Sequence, residues 1–261
     1  MPLCYLIFTL HIHNCMNTIQ QLENTVQQVR RDILRMVHKV NSGHPGGSLG
    51  CAEFFVVLFN EIMNYKTDFE MDGVGEDLFF LSNGHISPVY YSVLARSGFF
   101  PVEELQTFRL LDSRLQGHPT THEKLPGVRI ASGSLGQGMS VALGAAAAKK
   151  LNQDNSLIYS LHGDGELQEG QNWEAIMYAG SKGVDNLIAT IDVNGKQIDG
   201  STDDVSTWAI SRKVSAFGWK VITIKNGNDI SSIIDGLNQA KKKQIMKTYL
   251  CIIAYRNGQW S

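Results

Sequence analysis

Two apolar runs, Ser156–Leu161 and Leu187–Ile191, each stop at a turn of small and polar residues. The first leads into Gly163-Asp164-Gly165, the second into Asn194, and residues 166–193 lie between. Runs of this length and composition read as buried strands. Asp164 and Asn194 then fall just past the ends of two consecutive strands, on one side of one sheet. In open parallel sheets that edge is where ligands bind. A carboxylate and an amide oxygen are hard ligands suited to magnesium or calcium. Gly163 and Gly165 let the backbone approach an anion closely and offer it N–H groups. A Gly-Asp-Gly triplet alone also marks ordinary turns, but the strand context and the spaced Asn favour a metal-bridged diphosphate site. Charge supports this. Two like charges about 4 Å apart repel by roughly 4 kcal/mol at an effective dielectric near 20. Asp164 therefore suits a metal ligand and not a direct phosphate binder.

The rest of the chain reads as alternating helices and strands. Ile19, Leu22, Val26, Val29, Ile33, Met36 and Val40 are spaced three and four apart, one apolar stripe of a helix packed on a core. Gly43-His-Pro-Gly-Gly47 reads as a loop, and Ser48 as the cap of a second helix carrying Leu49, Ala52, Phe55, Val56 and Phe59. Asp77–Leu81 reads as a strand. Pro88 sits in the first turn of a helix reaching Ser97, and a short helix follows Pro101. An irregular stretch from Gly117 ends at Gly138, where an Ala-rich helix runs to Leu151. A polar loop spans Asn194–Asp204. Trp219–Ile224 is a strand, Asp229 caps a helix, and Tyr249–Ala254 is the last strand. This alternation predicts an α/β fold, a parallel sheet with helices on both faces.

Composition excludes several classes. With 23 basic and 25 acidic residues the net charge is -2, without the basic excess of a nucleic-acid binder. Cys4, Cys15, Cys51 and Cys251 have no paired spacing, so disulfide and zinc frameworks are not expected and a cytoplasmic location is. No apolar run reaches the roughly 18 residues of a membrane span. Leu3–Ile12 is apolar but lacks the marks of a signal peptide, and His11 and His13 have no further ligand nearby. We expect residues 1–15 to be a disordered or adventitious extension of a single domain, 16–261.

Three of the eight histidines, His44, His85 and His118, stand in Gly-His contexts, two of them Gly-His-Pro. Imidazole there can donate to phosphate or sugar oxygens and move protons near neutral pH. His162 reads as the end of a buried strand and His38 as a helix-surface residue. Glu166, Glu169 and Glu174 read as acids at a helix N-terminus. Lys241, Lys242 and Lys243 read as a solvated helix end.

Six motifs now stand in order: Ser42-Gly-His-Pro-Gly-Gly-Ser-Leu-Gly50, Leu81-Ser-Asn-Gly-His85, Gly117-His-Pro119, Gly133-Ser-Leu-Gly-Gln-Gly138, Gly163-Asp-Gly-Glu-Leu-Gln-Glu-Gly170 and Asp192-Val-Asn194. Together they resemble the thiamine-diphosphate-binding module of transketolase over residues 17–225. In length, and in lacking a second module, the chain resembles the N-terminal subunit of a split transketolase. The resemblance implies that Asp164, Asn194 and the Lys196 carbonyl hold magnesium or calcium. It implies that Gly165 and His85 contact the diphosphate beside Gly163, and that Gly133 and Leu135 lie against the cofactor rings. His44 and His118 would face the sugar phosphate substrates as catalytic groups. The implied reaction transfers a two-carbon ketol unit, with the cofactor supplying the electron sink.

The resemblance also implies a partner, a C-terminal subunit with the pyrimidine-binding module. That module would bring the glutamate against the aminopyrimidine and the arginines for the substrate phosphate, in a heterotetramer of two copies of each chain. Ala254–Ser261 departs from the family pattern, so the C-terminal end reads as truncated or divergent. A deoxyxylulose-phosphate-synthase-like enzyme, a sulfosugar transketolase and an inactive cofactor-binding or interaction module stay open. Gly117-His-Pro119 favours transketolase over the synthase.

Overall fold

The computed structural model describes residues 17–197, 200–205, 209–242 and 249–254. The expected extension at 1–15, with His11 and His13, lies outside these residues, as do Lys243 and the divergent end from Tyr255.

Helix α1 (Ile19–Val40) opens with a capping box. The Thr18 hydroxyl accepts the Gln21 N–H at 3.2 Å, and Gln21 Oε1 accepts the Thr18 N–H at 2.7 Å. Its stripe Leu22, Val26, Val29, Ile33 and Met36 is buried, whereas His38 is exposed. Helix α2 (Pro45–Gly50) begins earlier than Ser48, which lies inside it and donates its hydroxyl to the His44 carbonyl at 2.8 Å. The expected Ser48 cap is therefore replaced by Pro45 in the first turn. Helix α3 (Ala52–Val57) runs into a π turn, Leu58–Ile62.

Strand β1 (Leu78–Leu81) leads through a 3₁₀ turn, Gly84–Ile86, into α4 (Ser87–Arg96). The short helix after Pro101 is 3₁₀, Val102–Thr107. Then come α5 (Gly138–Leu151), β2 (Ile158–Gly163), a 3₁₀ turn Gly165–Gln168, α6 (Gly170–Lys182) and β3 (Leu187–Val193). The expected polar loop contains a small antiparallel pair, β4 (Lys196–Gln197) and β5 (Gly200–Ser201), and α7 (Thr202–Val205). Helix α8 (Ile210–Ala216), β6 (Lys220–Ile224), α9 (Ile230–Lys242) and β7 (Tyr249–Ala254) complete the order. Lys241 is not simply solvated, since its Nζ donates to the Ile62 carbonyl at 2.5 Å.

The main sheet is parallel throughout, in the order β1-β2-β3-β7-β6. Its side chains alternate with the period of two that a strand imposes. Phe79 and Leu81 of β1 join the core beneath α1, α3, α4 and α9, while Leu78 and Phe80 join the core beneath α5, α6 and α8. The expected sheet with helices on both faces is what the chain forms. No helix among the described residues is long and apolar enough to cross a membrane.

Candidate functional site

The C-terminal edge of β2 and β3 gathers the proposed metal ligands. Gly163 pairs with Asp192 in the parallel register, and the Asp164 N–H donates to the Asp192 carbonyl at 3.0 Å. The two turns that follow are cross-linked. Asp164 Oδ2 accepts the Gly195 N–H at 2.9 Å, and Oδ1 accepts the Gly165 N–H at 2.9 Å. Asp164 is only 5% exposed, so it is a buried carboxylate under the turn and not one on a solvent-facing turn. Burial pushes its pKa up, and the N–H groups of Gly195 and Gly165 oppose that shift. Asn194 Oδ1 accepts the Lys196 N–H at 2.8 Å, and its Nδ2 donates to Asp192 Oδ2 at 3.2 Å. The Lys196 carbonyl lies beside the Gly165 turn, 3.9 Å from where a Cβ on Gly165 would be.

This donor set fits a hard divalent cation. Among the described residues no three His, Cys, Asp or Glu side chains are grouped for a metal. One carboxylate, one amide and one carbonyl leave coordination positions for phosphate oxygens, as magnesium sites commonly do. A Cβ at Gly163 would have nothing closer than Glu166 Cβ at 3.9 Å, so the turn has room for a close ligand.

The three Gly-His histidines come together from distant segments. His44 precedes α2, His85 lies in the 3₁₀ turn after β1, and His118 lies in the irregular stretch before α5. The ring of His44 is 5.2 Å from that of His85 and 6.4 Å from that of His118. Gly133 packs against this group. Its φ of +132 suits glycine, and a Cβ there would meet the His118 ring at 3.0 Å. A Cβ on Gly84 would stand 2.9 Å from the Gly133 nitrogen, so this loop lies directly over the His85 turn. Leu135 follows in the same loop, half-buried. Burial lowers the pKa of His85 to about 4, aided by His44 and His118 and opposed by Glu166. Burial, then the Arg109 charge, lowers those of His44 and His118. All three rings are thereby shifted toward the neutral form.

A family model described as transketolase, thiamine diphosphate binding domain, matches residues 21–255. This chain belongs to the transketolase family. It is 38% identical over 225 residues to the 6-deoxy-6-sulfo-D-fructose transketolase subunit SqwG of Clostridium sp. (strain MSTE9), covering 85% of this chain and 80% of that one. It is 39% identical to an apulose-4-phosphate transketolase subunit of Actinobacillus succinogenes, covering 83% and 78%. Against the transketolase of Staphylococcus epidermidis it is 35% identical, covering 84% of this chain but 34% of the other. The solved transketolase from Leishmania mexicana superposes with a TM-score of 0.84 at 32% identity, over 92% of this chain and 37% of that one. The chain thus spans about a third of such full-length transketolases and carries their N-terminal thiamine-diphosphate-binding domain.

Within this transketolase domain the local sequence does not reveal three groups. Glu166 stands in the first turn of the 3₁₀ helix, as its position suggests, but it is only 3% exposed. Its carboxylate accepts the Ser82 hydroxyl, the Gly136 N–H at 2.8 Å and the Gly163 N–H at 3.1 Å, with His162 Nδ1 3.9 Å away. Burial alone would raise its pKa, but His162, Ser82 and Gly136 together hold it below the usual range. Arg109, at φ +58, donates to Ser42 Oγ at 2.9 Å and places a cation beside His44 and His118. Nothing in its local sequence marks it. Asp192 stands in the sequence only as part of a motif. It is buried, and burial and the neighbouring Asp164 raise its pKa to about 7. His162 is buried at the end of β2, as its position suggests. Hollows of about 300 and 380 Å³ lie along α1, away from all of these residues. The histidine group is instead an open rim, with His44 and His118 exposed.

Proposed function

We propose that this chain is the diphosphate-binding subunit of a cytoplasmic two-subunit transketolase, transferring a two-carbon ketol unit between anionic sugars. The observation that carries this reading is the hydrogen bond from the Gly195 N–H into Asp164, which closes two strand-end turns over one spot. Asp164, Asn194 and the Lys196 carbonyl hold magnesium or calcium there. Gly163 and Gly165 offer backbone N–H groups, and His85 an imidazole N–H, to the diphosphate. Because His85 is neutral, it donates without bringing a charge that must itself be desolvated. Gly133 and Leu135 line the cofactor rings. When bound, thiamine diphosphate supplies the electron sink for ketol transfer. His44 and His118, exposed on the rim, orient the sugar hydroxyls and move protons between them.

The partner is a C-terminal subunit carrying the pyrimidine-binding module, in a heterotetramer of two copies of each chain. The chain covers 80% and 78% of two relatives whose names call them subunits, but 34% of a one-chain relative, which supports a divided enzyme. An open rim also needs a second wall to exclude water from the reacting centre. The two subunit relatives are named for different sugars at nearly equal identity, so the donor is specified here by class, a ketose bearing an anionic end. The test is a coupled ketol-transfer assay on the chain alone, then with the partner titrated in. Activity only with partner supports the reading. Turnover by the purified chain alone overturns it.

A further inference from the structure

Asn194 can serve a cation only through its amide oxygen, and nothing in its own bonding chooses which end of the amide faces outward. Its surroundings choose. On the inner side Asp192 Oδ2 accepts Asn194 Nδ2 at 3.2 Å. On the outer side the Lys196 N–H donates to Asn194 Oδ1 at 2.8 Å. Turning the amide over would set two donors face to face at Lys196 and two acceptors face to face at Asp192. Asp192 is itself fixed from below. The Cys51 thiol, between α2 and α3, donates to the same Oδ2 at 3.4 Å, and Cys51 is fully buried. The Asp192 backbone carbonyl is held by the Asp164 N–H at 3.0 Å. Asp192 Oδ1 is buried and has no hydrogen-bond partner among the described residues, so Oδ2 is the oxygen that works.

We propose that Asp192 is a positioning residue. Seated on Cys51, it orients the Asn194 amide so that oxygen, not nitrogen, is presented to the cation held with Asp164. This inference rests on the metal reading proposed above. It assigns Asp192 a role through hydrogen-bond geometry and not through its charge, and the two roles can be separated by substitution. Asp192→Asn removes the charge but can keep an accepting oxygen toward Asn194 and Cys51. Asp192→Leu keeps the approximate volume and removes the acceptor. Cys51→Ala leaves Asp192 intact but unseats it.

The experiment is Mn²⁺ binding to the full chain in the presence of thiamine diphosphate, followed by electron paramagnetic resonance, with thermal melts of every variant. We expect Asp192→Leu to weaken Mn²⁺ binding at least tenfold, Asp192→Asn to stay within about threefold of the parent, and Cys51→Ala to fall between them. Equal losses in the Asn and Leu variants would assign the effect to charge and overturn the proposal. Unchanged binding in the Leu variant would overturn it too. If the Leu variant does not fold, Cys51→Ala decides, because parental affinity there removes the seat from the argument. A parent chain that binds no Mn²⁺, or an Asp164→Ala chain that binds it unchanged, instead overturns the metal reading itself.

Discussion

Glu166 Oε1 accepts the Gly136 N–H at 2.8 Å across thirty residues of chain. The same carboxylate accepts the Gly163 N–H and the Ser82 hydroxyl. It therefore ties the turn after β2 to the end of β1 and to the loop carrying Gly133 and Leu135. Leaving these three donors without their acceptor, at about 1–3 kcal/mol each, costs at least about 3 kcal/mol. Glu166→Ala should lose roughly that much stability in urea unfolding, and Glu166→Gln, which keeps an acceptor oxygen, clearly less. An Ala variant within about 1 kcal/mol of the parent would show that the brace carries no load.

Asp164→Ala should abolish metal-dependent thiamine diphosphate binding, measured by calorimetry. It should also cost stability, because the Gly165 and Gly195 N–H groups lose their acceptor. An unsatisfied buried donor costs about 1–3 kcal/mol. Retained affinity in a folded variant would remove Asp164 from the metal site.

His85 and His118 should separate by readout. His85→Ala should weaken cofactor affinity, since its partner is a diphosphate oxygen. His118→Ala should leave cofactor affinity near parental and instead lower kcat or raise KM for the sugar, assayed with the partner subunit. Equal cofactor losses would end the substrate assignment of His118.

The depressed pKa of His85 sets a pH dependence. Its folded value of about 4 lies below the ordinary 6.5, so the unfolded chain binds the proton first on acidification. Stability is undiminished above pH 6.5 and is lost as pH falls toward 4, by up to about 3 kcal/mol from this group at 1.36 kcal/mol per unit. His44 and His118 shift in the same direction. Urea unfolding of the parent and of His85→Gln at several pH values between 7 and 4.5 should show a shallower decline in the variant. Parallel declines would contradict the assignment.

Two glycines should respond oppositely to alanine. A Cβ on Gly180 of α6 would lie 1.9 Å from the Phe217 carbonyl oxygen, a backbone atom that cannot swing aside. A Cβ on Gly144 of α5 would have nothing within 4 Å. Gly180→Ala should lower the melting temperature by several degrees, whereas Gly144→Ala should add about 0.5–1 kcal/mol through helix propensity. Differential scanning calorimetry of the two variants checks both signs.

Much of this fold is legible in the sequence because local period and tertiary burial agree. The α1 stripe is periodic and buried, and β1, β2 and β3 are short, mostly apolar runs buried at nearly every position. Asp164 and Asn194 can be placed on one edge because consecutive parallel strands end there. Local pattern misleads where packing overrides local preference. Gly46 and Gly47 suggest a loop, yet they are helical in α2, where a Cβ on Gly47 would stand 2.8 Å from Ile86. Close packing on the His85 turn outweighs the poor helix propensity of glycine. Glu166 and Arg109 are hidden in the sequence for a related reason. Their importance lies in partners 84 and 67 residues away, Ser82 and Ser42, which no local window contains.

The rung between the Asp164 N–H and the Asp192 carbonyl makes the length of the intervening chain irrelevant to the site. The residues of α6 and its flanking turns travel down one face and return, and both ends are pinned by the ladder. Inserting residues between Lys182 and Leu187 would leave the two turns where they are. One extra residue inside β2 or β3 would turn every later side chain of that strand to the opposite face and carry the ligand with it. The turn between α6 and β3 is therefore the natural place to lengthen, graft or circularly permute this domain, and the two strands are where any engineered change of length should be refused.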